Sequence, residues 1–224
     1  MITNQNVLDA LSVYLRRCPQ DAAALGEPLA LLESGLPMTD RTRLPAHVTV
    51  SALLLDDQDR VLLVHHLASN LTLQPGGHVE CDDKDLPSAA LRELTEEVGL
   101  APELVELASG APAWVEYHHV PPRPAKGEPA HRHLDIGFVF TTFRPHIGPL
   151  KADEVSSAAW RQRCCLAPFL QERMIRALDL LERRPGGKGP ASSSDCGLCS
   201  ADALPTSSDA NPTRSSCVPE ISAQ

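Results

Sequence analysis

Gly76-Gly77-His78-Val79-Glu80-Cys81-Asp82-Asp83-Lys84-Asp85, followed by Leu86-Pro87-Ser88-Ala89-Ala90-Leu91-Arg92-Glu93-Leu94-Thr95-Glu96-Glu97-Val98-Gly99-Leu100, is the most informative stretch of this 224-residue chain. The segment Leu73 to Gly77 is expected to break regular structure, and its paired glycines let backbone approach a ligand. The spacing then predicts an amphipathic helix over about 86–98, with Asp85 placed as its N-cap and Gly99 as its stop. At about 100° per residue, Glu93, Glu96 and Glu97 share one face, while Leu91, Leu94 and Val98 share another. Three like charges on one face repel unless a cation lies between them. Oxygen-only ligands suit a hard divalent ion, and magnesium is usually held by few carboxylates together with water and substrate phosphates. Arg92 can fix a neighbouring carboxylate by a forked hydrogen bond. Taken alone, Arg92 to Glu97 has the ordinary reading of a solvated helix face; the flanking glycines shift that balance.

Outward from the helix, His47 to Leu55 and Val61 to Val64 read as two strands joined by the turn Asp56-Asp57-Gln58-Asp59. Further strands are expected at Ala113 to Val120, at Leu134 to Phe143 and, shorter, at Glu154 to Trp160. The proline-rich stretch Pro121 to Pro129 between the first two reads as a loop beside the site. Helical composition marks Val7 to Leu15, Ala22 to Leu32 and a closing helix from Ala167 to Arg184, which Pro185-Gly186-Gly187 would end. The expected division is an N-terminal helical extension over 1–42, one catalytic domain over 43–184, and a disordered tail over 185–224. That tail is too poor in apolar residues to offset its ordering entropy.

Composition narrows the classes. With 20 Lys and Arg against 29 Asp and Glu, the net charge is -9 and the sequence pI is near 5.4, which disfavours binding to a nucleic-acid polymer through its backbone. A small phosphorylated ligand stays open, because a metal ion can supply the positive charge. The absence of an 18- to 20-residue apolar run and of a signal-like start points to a soluble, cytoplasmic protein and away from the membrane. Seven cysteines at scattered spacing read as reduced thiols. Cys196-Gly197-Leu198-Cys199 has ligand spacing but no second pair, so zinc is not expected there.

On these residues the chain resembles the Nudix hydrolase family, whose signature is a glycine, five residues, a glutamate, seven residues, then Arg-Glu, an aliphatic residue, any residue, Glu-Glu, any residue, Gly and an aliphatic residue. Arg92, Glu93, Leu94, Glu96, Glu97, Gly99 and Leu100 match its second half, and Gly77 stands as the leading glycine. Asp83 takes the place of the first glutamate, and one extra residue separates it from Arg92. The resemblance covers about 46–184 and implies an α/β/α sandwich with a mixed β-sheet and hydrolysis of a phosphoanhydride in a nucleoside diphosphate-linked substrate. It implies catalytic roles for Arg92, Glu93, Glu96 and Glu97. Magnesium, for which manganese can substitute, would be held by Glu93, Glu96 and Glu97, with Asp83 as a further candidate. The alternative is a nucleotide-binding sensor that keeps the fold without turnover.

Substrate contacts are expected from Gly76 and Gly77, from His133 and Asp135, and from Glu154. In His131-Arg132-His133-Leu134-Asp135, alternation puts the two histidines and the aspartate on one side of a strand. They read equally as polar strand-edge residues or as substrate or general-base groups, and as a transition-metal set only as an outside alternative. Glu154 resembles the acidic residue that many family members carry on a late loop. His65, His66 and His78 are ambiguous, Arg123 and Lys126 are candidate phosphate contacts, and a homodimer is left open.

Overall fold

A computed structural model describes residues 1–124 and 127–182. The expected tail, the end of the closing helix beyond 182 and Lys126 lie outside the described residues. The elements run α1 (Asn4–Arg17), α2 (Gly26–Glu33), β1 (Ala46–Asp56), β2 (Val61–His66), β3 (Leu71–Leu73), β4 (Gly76–His78), α3 (Leu86–Val98), β5 (Glu106–Leu107), β6 (Trp114–Val120), β7 (His131–Thr142), β8 (Val155–Arg161) and α4 (Pro168–Glu182).

All eight strands form one mixed sheet, with the order β3-β2-β1-β7-β5 along its main path; β4 pairs with β1, β6 with β7 and β8 with β2. β1 and β7 run parallel over their whole common length, from Ala46 opposite Arg132 to Asp56 opposite Thr142. Every residue of β1 is buried, as a central strand covered on both faces requires. Alternation divides the core in two. Val48, Val50, Ala52 and Leu54 of β1 join Leu134, Ile136, Phe138 and Phe140 of β7 on the face covered by α1 and α3. Leu53 and Leu55 point the other way, to Trp114 and to Leu170, Met174 and Leu178 of α4. The layering is thus the expected α/β arrangement.

The N-terminal helices share the core on the α3 side. Val7, Leu11 and Tyr14 repeat at helical spacing along α1 and are fully buried in the same cluster as Val48 and Ile136. Burial contributes about 1.5–3 kcal/mol for each large apolar side chain, which anchors the extension to the sheet. Thr3 caps α1 in a reciprocal pair with Asn6.

One expectation is corrected. Gly76 and Gly77 do not interrupt the sheet; they are the strand β4, antiparallel to β1 with Gly76 opposite Ser51 and Gly77 opposite Val50. A Cβ on Gly76 would lie 2.5 Å from the Val50 carbonyl oxygen, so glycine is what permits this close pairing. β7 also starts earlier than its apolar run suggests, taking in His131 and His133. The short β5 was not anticipated.

A carboxylate cavity bordered by a histidine cluster

α3 is positioned by its ends. Asp85 accepts the Ser88 amide at 2.7 Å, the N-cap role read from sequence, and Gly99 closes the helix at φ 60°, where a side chain would be strained. Between them Leu94 and Val98 bury against the sheet, and the opposite turn carries Glu93, Glu96 and Glu97 into a cavity of about 690 Å³.

Arg92 organises this turn. Its Nε donates to Asp83 Oδ1 at 3.0 Å and its Nη2 to Asp83 Oδ2 at 3.1 Å. Nη2 also donates to the His78 carbonyl at 2.8 Å, and Nη1 to Glu93 Oε1 at 3.0 Å. Both Asp83 oxygens are therefore taken up by Arg92, and Asp83 Oδ2 also accepts the Glu80 amide at 2.7 Å. Asp83 is buried and does not line the cavity that the helical glutamates share. The structure gives it to Arg92 as a partner rather than to the carboxylate group, because the guanidinium's forked donors match both its oxygens.

Glu93 and Glu97 are buried, at 7 % and 1 % exposure. Glu97 Oε2 accepts the Gly76 amide at 3.1 Å, and its Oε1 lies 3.3 Å from His66 Nδ1. Burial pushes the Glu97 carboxyl up to about 8, against the Gly76 hydrogen bond and with help from the charges of Glu93 and Glu154. Burial likewise raises Glu93, although Arg92 pulls it the other way. Glu96 is the outer member, 3.2 Å from Lys151 Nζ, which also reaches Glu154 at 2.9 Å. Two buried carboxyl groups held away from water beside further acids are the environment that a divalent cation relieves, and the oxygen donors present fit such an ion.

Gly77 lies against this group, since a Cβ there would come 2.5 Å from the Glu93 carboxyl carbon. Gly76, Gly77 and His133 line the carboxylate cavity and also an adjoining one of about 470 Å³; Glu154 lines the first and Asp135 the second. Asp135 is engaged already, accepting from Ser51 Oγ at 2.8 Å, Thr49 Oγ1 at 3.2 Å and Trp114 Nε1 at 3.2 Å. The proline-rich segment lies beside the first cavity, to which it contributes Arg123, Glu128 and Pro129.

His47, His78, His131 and His133 also line the first cavity. His47 of β1 sits opposite His133 of β7, and Thr49 opposite His78 of β4, which brings rings from three strands together. Ring centroids are 5.0 Å apart for His47 and His78, 4.7 Å for His47 and His133 and 5.4 Å for His78 and His133. Burial keeps the three neutral, pushing His47 down to about 4, His78 to about 3 and His133 to about 2, with the neighbouring imidazoles acting in the same direction. His47 and Lys151 were not singled out in the sequence, and nothing local marks them. His66 is ambiguous in the sequence, and only folding brings it to Glu97.

The family model for the NUDIX domain matches residues 45–172, and the chain belongs to the Nudix family. It is 39% identical over 93 residues to an RNA pyrophosphohydrolase of Dinoroseobacter shibae, an alignment covering 39% of this chain and 58% of that one. It is 33% identical over 123 residues to the m7GpppN-mRNA hydrolase NUDT17 of Danio rerio, covering 50% of this chain and 40% of the relative. The chain thus spans about half the length of these curated relatives. Among solved structures, it is similar to an Ap4A hydrolase of C. elegans, with TM-score 0.47 and 14% identity over 60% of this chain and 97% of that one. Among the described residues, no helix is long and apolar enough to cross a membrane.

Proposed function

We propose that this chain is a metal-dependent pyrophosphohydrolase acting on a nucleoside diphosphate-linked substrate. The observation that carries the reading is the buried pair Glu93 and Glu97, joined by Glu96 on the wall of one cavity. The names of the curated relatives, an RNA pyrophosphohydrolase and an m7GpppN-mRNA hydrolase, support the reaction class.

In this reading Glu93, Glu96 and Glu97 hold magnesium, and Arg92, anchored by Asp83, fixes the rotamer of Glu93. The bound ion supplies neutralisation of charge on the phosphate oxygens and their alignment for in-line attack. One of the cavity carboxylates takes the proton of the attacking water. Lys151 sits between Glu96 and Glu154, where its ammonium can turn to a phosphate oxygen. Gly76, Gly77 and His133 border both cavities, so a diphosphate bound in the first can carry its nucleoside toward the second, over Asp135. The net charge of -9 favours a small nucleotide over a long RNA, whose backbone needs a basic track.

The test is a substrate panel with magnesium: nucleoside triphosphates, nucleotide sugars, ADP-ribose, dinucleoside polyphosphates and 5′-triphosphorylated RNA. Released phosphate, pyrophosphate and nucleoside monophosphate are measured. Turnover of a small nucleotide is expected. Turnover of the RNA alone would overturn the small-substrate reading, and tight binding without turnover across the panel would make the chain a nucleotide sensor.

A further inference from the structure

The clustered histidines that share the cavity with the carboxylates are not required by the sheet, and the proposed hydrolysis uses only His133, as a border of the two cavities. Apolar side chains would fill a buried site between strands at lower cost, because each imidazole brings two nitrogens that need partners. Here those nitrogens face one another. His47 Nε2 meets His78 Nε2 at 3.1 Å, and His131 Nε2 meets His133 Nε2 at 3.0 Å. His47 is only 3 % exposed, so its ring nitrogens are shut away from bulk water. His131 is tied back by its Nδ1 to the Pro129 carbonyl at 2.8 Å. One ligand nitrogen from each of His47, His78 and His133 lies within 4.8 Å of the others.

We propose that His47, His78 and His133 form a second metal site, distinct from the carboxylate group, that takes a borderline transition-metal ion of the zinc class. Three imidazoles from three different strands are a donor set that suits zinc, copper, iron or nickel and that magnesium disfavours. Around zinc, bond lengths of about 2.0–2.1 Å put tetrahedral ligand nitrogens roughly 3.4 Å apart. The observed spread of up to 4.8 Å has to close by about 1.4 Å at most to reach that value, which turning of the rings can supply. Three protein ligands leave a fourth position open, as in zinc sites that bind water or substrate. All three rings line the same cavity as Glu93 and Glu97, so that position faces the space where a phosphate oxygen can complete it. The site is separable from the hydrolase reading, because its ligands are nitrogens and theirs are oxygens.

The experiment uses the full chain, stripped with chelator and labelled with 15N-histidine. Zinc is titrated in while long-range imidazole proton-nitrogen spectra are recorded, first alone and then with magnesium in large excess. One equivalent of zinc is expected to shift three ring systems, and magnesium should not reverse the change. Glu97→Gln should leave the titration unchanged, whereas His78→Ala with His133→Ala should weaken it by about a hundredfold or more, at least what losing an outer-shell partner costs. Zinc taken up by cysteines would leave the imidazole signals in place and would count against the site, as would shifts that magnesium abolishes. If the double variant does not fold, the wild-type spectra decide, since three unmoved ring systems overturn the proposal. Magnesium-dependent turnover on the substrate panel is read separately, so failure of one reading leaves the other standing.

Discussion

Gly76 and Gly77 are neighbours with different jobs, which substitution should separate. A Cβ on Gly76 meets backbone, the Val50 carbonyl at 2.5 Å, while the nearest atoms to a Cβ on Gly77 are the carboxyl end of a flexible side chain, Glu93. Gly76→Ala should therefore force β4 from β1 and cost about 1–3 kcal/mol of stability, the range for overpacking. Gly77→Ala should keep most of its stability but displace the Glu93 carboxylate, lowering turnover by on the order of tenfold or more, since each tenfold is about 1.4 kcal/mol of barrier. Urea unfolding and steady-state kinetics on both variants check this; equal stability losses without a difference in activity would show that Gly77 does not set the carboxylate. Glu97→Gln keeps size and helix propensity and removes an anionic ligand. Turnover should fall by about 2–4 kcal/mol in barrier terms, as for loss of one preorganised electrostatic group. The metal-free protein should be no less stable, because burial already pushes the Glu97 carboxyl up to about 8, so a neutral amide replaces a group that gains little from its charge there. A solvated helix face would give the reverse, with activity kept.

Among the elements, the joint between the N-terminal extension and α4 has its own chemistry. Tyr14 of α1 donates to Asp21, and Arg176 of α4 reaches the same carboxylate at 2.6 Å. Burial would raise the Asp21 carboxyl, but the hydrogen bonds from Tyr14 and Arg176 outweigh it and hold it below its usual range. Its folded pKa thus lies below the unfolded value near 3.9. The unfolded chain binds the proton first as pH falls, so the contribution is complete above about pH 4 and fades as pH drops through the lower folded value. Asp21→Asn should be less stable than wild type at pH 6, and the difference should shrink toward pH 3. Paired denaturant titrations at the two pH values measure it, and a gap that persists unchanged at pH 3 would rule out the charge as its source. Because α1 buries Val7, Leu11 and Tyr14 in the sheet's own core, this joint fastens part of the fold rather than an appendage.

For the whole molecule, metal binding should appear as stability. An ion that binds only the folded chain stabilises it by about 2.7 kcal/mol at a hundred times its dissociation constant, which for a fold of this size corresponds to roughly 5–10 °C in melting temperature. Magnesium should raise the melting temperature of wild type and leave Glu93→Gln/Glu97→Gln nearly unmoved. An equal rise in both would place the ion elsewhere.

The local features were legible along the chain. α3, its Asp85 cap, its Gly99 stop and its acidic turn follow from helical periodicity and capping chemistry, which act within about four residues. So do β1 and β2, whose apolar runs have the length and composition of strands. Features that depend on strand order were not legible. Asp83 reads from the signature as a metal ligand, yet both its oxygens pair with Arg92, because the loop between β4 and α3 turns it toward the guanidinium. The alternation His131, His133, Asp135 was visible as a pattern, but Asp135 is spent on Ser51, Thr49 and Trp114. The rings that join His133 come from β1 and β4. Residues so distant in sequence become neighbours only when β1 pairs parallel with β7 on one side and antiparallel with β4 on the other. The sequence by itself determined the helix, its charge and the family. The tertiary structure decided which side chains share a cavity, because that depends on the register of strands whose pairing no local period encodes.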